Sequence, residues 1–74
     1  MTTSEIVRDR ALELAQAGME GDRAVSELSD ACGGRRVAAV RARQELVAML
    51  DGGGDHDVTT AVRLVDDLLA QMPE

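Results

Sequence analysis

Arg35-Arg-Val-Ala-Ala-Val-Arg-Ala-Arg-Gln-Glu-Leu-Val-Ala-Met-Leu50 decides the fold. The stretch has the length and residue types of a helix of about four turns. One apolar stripe along it is Ala38, Ala39, Ala42, Leu46, Met49 and Leu50. A second apolar pair, Val40 and Val47, lies about a third of a turn away and is flanked by Arg36 and Arg43. A helix resting one face on a core needs less apolar surface than this. Two placements follow: a central helix packed by several neighbours, or a helix that presents Arg36, Val40, Arg43 and Val47 to a partner.

The same stretch stands out by charge. It holds four of the eight arginines (Arg35, Arg36, Arg41, Arg43) against one acid, Glu45. The chain before it has three arginines against seven acids, and the chain after it has Arg63 against six. A basic helix inside a protein of net charge −6 is a candidate contact surface.

Working outward, helix signals bracket this segment on both sides. Towards the N-terminus, Thr2 and Glu5 have the spacing of a capping box, with Ser4 as a competing cap, for a helix over 3–17. Its buried face is Val7, Ala11, Leu14 and Ala15, and Gly18 ends it. A second helix is expected over 22–32, with Asp22 as N-cap, the stripe Ala24, Val25, Leu28, Ala31 and Cys32, and Gly33-Gly34 as its stop. Towards the C-terminus, residues 51–57 form a Gly- and Asp-rich break in which Asp55 or Asp57 caps a helix over 57–71 that stops before Pro73. That last helix has the cleanest amphipathic stripe: Val58, Ala61, Val62, Val65, Leu68, Leu69 and Met72.

The fold class that follows is all-α. It comprises one small domain over 1–74, with a compact three-helix core in 1–50, the loop 51–57 and a C-terminal amphipathic helix in 58–74. The chain contains no aromatic residue, and its 33 apolar residues include 11 alanines, so the core must be built from Leu, Val, Ala and Met. Small side chains permit close helix packing and enclose little volume for a ligand. A 74-residue chain also buries only about 60% of its unfolded surface. A partner or a second copy would add burial, and Val62, Val65, Leu68 and Leu69 are the candidate contacts of a homodimer through the last helix.

Candidate chemistry is sparse. Asp51, Asp55, His56 and Asp57 are metal-ligating types, yet they lack the alternating oxygens and closing Glu of an EF-hand and the paired spacing of a zinc site. A solvated, helix-capping loop accounts for them. The three glycines there are followed by neither Lys-Ser nor Lys-Thr, so a phosphate loop is not expected. Cys32 and His56 would make a nucleophile and base only as a lone pair, and Cys32 sits on an apolar stripe as a buried thiol would. Asp66 and Asp67 are adjacent and diverge by about 100° on a helix. No cofactor and no catalysis are expected. One cysteine suits a reducing compartment, no apolar run reaches the ~20 residues of a membrane span, and the cytoplasm is the expected location.

Three family patterns overlap in the middle of the chain. Glu27-Leu-Ser-Asp-Ala-Cys-Gly33 followed by the Arg-rich helix resembles a helix-turn-helix. That resemblance implies a recognition helix in which Arg35, Arg36, Arg41 and Arg43 contact guanine edges and phosphates. Ala17-Gly-Met19, Ala24, Leu28, Gly33-Gly34 and Ala38 resemble ubiquitin-associated-like three-helix domains, including the amino-terminal module of elongation factor Ts. The same positions resemble the RNA-binding output domain of antitermination regulators. The shared element is a three-helix topology, which does not assign function. An acyl carrier protein has a similar acidic four-helix outline, but the Asp-Ser-Leu attachment motif is missing here. The functional expectation is a non-enzymatic regulatory or adaptor module that binds a partner protein through helix faces. The alternative is a helix-turn-helix-like DNA-binding regulator that uses the Arg-rich helix and is dimerised by the last one.

Overall fold

Thr2 opens the first helix by accepting the backbone N–H of Glu5, while the Glu5 carboxylate accepts from the Thr2 backbone, which completes the expected capping box. The computed structural model describes all residues except Gly52, Gly54, Pro73 and Glu74. The glycine-rich character of the loop, beyond Gly53, and the expected stop at Pro73 therefore lie outside the described residues. Four helices follow one another: α1 (Thr3–Gln16), α2 (Gly21–Cys32), α3 (Arg36–Leu50) and α4 (His56–Gln71). No strand occurs among the described residues.

The ends of these helices follow from local chemistry. Gly18, at φ 73°, lets its own N–H reach Ala15 O and the N–H of Met19 reach Leu14 O, which closes α1 in a Schellman turn. α2 starts one residue before the expected Asp22 cap. Gly21, at φ 72°, turns the chain early, Glu20 takes the N-cap position without a side-chain cap bond, and Asp22 falls in the first turn. There its charge still complements the positive end of the helix. Gly33 ends α2 in the left-handed conformation. Arg35 becomes the N-cap of α3, also without a side-chain cap bond. Asp55 caps α4 by accepting from the Asp57 N–H at 3.1 Å.

The relative directions of the helices come from their cross-links. Ser4 lines a cleft with Ala38 and Arg41, and Arg8 bonds Glu45, so α1 and α3 run side by side in the same direction. Arg36 reaches Leu69 and Met72, and Arg43 reaches Asp66, so α4 runs antiparallel to α3. Thus α4 folds back onto its own chain, where it packs on α1, α3 and α2, whereas α2 and α3 meet least of all. The radius of gyration is 10.9 Å, close to the ~11 Å of a compact domain of this length.

One core serves all four helices. Its fully enclosed side chains include Val7 and Ala11 of α1, Leu28 and Cys32 of α2, Ala39, Ala42 and Leu46 of α3, and Val65 and Leu68 of α4. The alanines of α3 let α1 and α4 approach closely on two sides, which explains the surplus of apolar surface on this helix. Two stripe positions differ from the periodic expectation. Leu64, off the expected stripe of α4, is buried because α4 is covered by three neighbours and its apolar arc is wider than one stripe. Met49 is 47% exposed, because the core tapers at the last turn of α3 and only Leu50 still packs there.

Candidate interaction face on the basic helix

The four arginines of 35–50 divide into two pairs. Arg36 and Arg43 lie seven residues apart, about two turns, and share the side that faces α4. The Arg36 guanidinium donates to the carbonyls of Leu69 (3.2 Å) and Met72 (3.3 Å) at the C-terminal end of α4. The Leu69 carbonyl also accepts the Met72 N–H at 3.3 Å, so Arg36 adds a second donor there, and a cation at this point complements the negative end of the helix dipole. Arg43 pairs with Asp66. The carboxylates and acceptors expected from a partner are thus supplied for Arg36 and Arg43 by α4. Val40, between them in sequence on that side, is half-buried, and Val47 is 36% exposed.

Arg35 and Arg41 have no ion-pair partner among the described residues. Both are exposed, and both line an open cleft of about 260 Å³ between the start of α3 and the first turn of α1. Val37 lies between them on this cleft and is 73% exposed. Thr2, Thr3 and Ser4 form the opposite wall. Ser4 is buried and shares a hydrogen bond with the Thr2 hydroxyl at 3.0 Å. Val37 and the hydroxyl turn were missed by periodicity, since Val37 lies on no apolar stripe. Its signal was the spacing i, i+2, i+6 of Arg35, Val37 and Arg41, which only the neighbouring α1 turns into one surface.

A third basic group has a structural role. Arg8 bonds Asp9 (3.0 Å) and Glu45 (3.4 Å) and so ties α1 to α3. Its pKa is raised above the usual arginine value, first by the Asp9 hydrogen bond and then by the charges of Asp9, Glu45 and Glu5, with burial opposing. The second carboxylate oxygen of Glu45 is enclosed without a hydrogen-bond partner.

The other sequence candidates fall apart spatially. Val65 and Leu68 are buried inside the chain, at 0% and 1% exposure, and Val62 and Leu69 are half-buried against the same core. A second copy docking on the folded chain cannot reach the first two. Cys32 is enclosed, and its thiol donates to the Arg35 carbonyl at 2.8 Å. His56 is exposed at the start of α4, whereas Cys32 lies near the end of the bundle where α4 finishes, so the two do not form a nucleophile and base. Asp55 acts as a cap, Asp66 as an ion-pair partner, and Asp67 is exposed. No group of three or more metal-ligating side chains converges among the described residues, and no described helix is long and apolar enough to cross a membrane. No family model, curated protein or solved structure matches the chain.

Proposed function

We propose that the chain is a small non-enzymatic regulatory or adaptor module that binds a partner protein through the outward start of α3. One observation carries this reading. A β-branched residue, Val37, stands 73% exposed between two arginines that no acid of the described chain neutralises. Val37 contributes little to the core from there, and Arg35 and Arg41 hold no described side-chain bond. Protein interfaces favour arginine with an apolar anchor at the centre, because the guanidinium fork meets carboxylates and the aliphatic group supplies burial.

The alternative, a DNA-binding regulator, has one observation in its favour: Arg41 and Gln44 are both exposed on α3, and both suit base edges in a major groove. Against it, α2 packs mainly on α1 and α4 and meets α3 least, unlike a helix that braces a recognition helix. The net charge of −6 also opposes a polyanion.

The test is affinity capture from a lysate with wild-type, Val37→Asp and Arg63→Ala proteins as baits, with and without nuclease. The adaptor reading expects a protein that survives nuclease, is lost with Val37→Asp and is retained with Arg63→Ala. Capture that disappears with nuclease, and weakens with salt at a log–log slope of about −0.9 per phosphate neutralised, would transfer the face to DNA. Captured proteins identical for all three baits would remove the face altogether.

A further inference from the structure

We infer that the cleft between the first turn of α1 and the start of α3 is a carboxylate-binding site, and that its occupant is an acidic segment of the partner protein with an apolar residue beside the acid. This rests on the reading of α3 as the docking face and gives that face a ligand chemistry. Arg35 and Arg41 both line the cleft, and neither is ion-paired within the described chain. Val37 and Ala38 supply its apolar surface, and Thr2, Thr3 and Ser4 form the opposite wall. Glu5, the nearest acid in sequence on α1, is not part of the cleft, and its carboxylate is held in the capping box with Thr2.

Charge decides between classes of occupant. Two unpaired arginines can neutralise about two phosphates, whereas a duplex-binding protein of ordinary affinity makes about 6–10 phosphate contacts. The rest of this surface is predominantly acidic and would repel the remainder of a duplex. A short peptide with one or two carboxylates needs no more than the cleft provides. An exposed valine between the arginines gains nothing from a phosphate backbone, but it gains burial from a leucine or valine of a peptide.

The experiment is a titration of the nitrogen-15-labelled 74-residue chain, followed by backbone amide shifts. The probe is a blocked octapeptide of alternating glutamate and leucine pairs. Its glutamine counterpart and a 16-base-pair duplex serve as comparisons. Saturable shifts are expected at Thr3, Ser4 and 37–41 with the glutamate peptide only. The Arg35→Gln/Arg41→Gln double variant should bind about a hundredfold more weakly, the loss of two charge-assisted hydrogen bonds, while melting at the wild-type temperature. Arg41→Lys, which keeps the charge without the fork, should fall between the two. Equal binding of the glutamine peptide, shifts centred elsewhere, or tighter binding of the duplex would each overturn the assignment. The two readings fail separately. A captured partner that Val37→Asp loses but the double arginine variant keeps leaves the docking face standing and removes the carboxylate site. A partner lost by neither variant removes both.

Discussion

Arg36 and Arg43 are bonded to α4, whereas Arg35 and Arg41, from the same basic segment, meet no acid among the described residues. All four have the same side chain within nine residues, so chemistry does not separate them. Angular position does. The inward pair lies where α4 returns antiparallel along α3, and its donors are absorbed by α4 carbonyls and a carboxylate. The outward pair lies beside the first turn of α1, with Thr2, Thr3 and Ser4 across from it and Val37 between the two arginines. One basic segment is thereby divided between holding the fold and facing solvent.

The sharpest way to break this comparison is to unseat α4. Leu68 is 1% exposed, and Leu68→Ala should cost about 2–5 kcal/mol of unfolding free energy, measured by chemical denaturation. If α4 instead served mainly as a dimer contact, the loss would depend on protein concentration. A midpoint that shifts with concentration in the wild type would therefore contradict the intramolecular seat of α4, and with it the inward role of Arg36 and Arg43.

The next largest effect belongs to Arg36. Its two bonds close the C-terminal end of α4, so Arg36→Ala should destabilise by about 1–2 kcal/mol and increase amide exchange in the last turn of α4 before other regions. Uniform exchange along α4 would show that the contact does not hold that end. Arg43 should matter less. It and Asp66 are each more than 40% exposed, so a double-mutant cycle of Arg43→Ala and Asp66→Ala should give a coupling of about 0.2–1 kcal/mol that shrinks in high salt. A coupling insensitive to salt would place the pair in a drier setting than the structure gives it.

Much of the fold was legible because it is written in local signals. Thr2 with Glu5, Gly18, Gly33 and Asp55 mark helix ends by chemistry that needs no tertiary context. The surplus apolar surface of 35–50 left two placements open, a central helix or a face turned to a partner, and only the packing of α1 and α4 on α3 chooses between them. Asp22 misled because Gly21 can turn the chain at positive φ, an option the neighbouring Asp does not reveal. The interaction face was less legible for a related reason. Periodicity places Arg36, Val40, Arg43 and Val47 on one side of a helix, but it does not say which helix covers that side. Only the antiparallel return of α4 assigns Arg36 and Arg43 inward, and only the parallel neighbour α1 gathers Arg35, Val37 and Arg41 around one cleft.

The smallest expected effect tests the outward pair. Arg41→Ala removes a solvated side chain with no described bond, so its stability should stay within about 0.5 kcal/mol of wild type by the same denaturation measurement. A change of either sign inside that range is compatible with a side chain whose long-range attraction to the acidic surface is screened by salt. A loss comparable to that of Arg36→Ala would mean that Arg41 also holds the fold. The distinction between the two pairs would then disappear, and the argument for a free basic cleft would go with it. The useful result is therefore the contrast between two substitutions five residues apart in one helix: a measurable loss for Arg36 and none for Arg41, with any loss at Arg41 confined to binding.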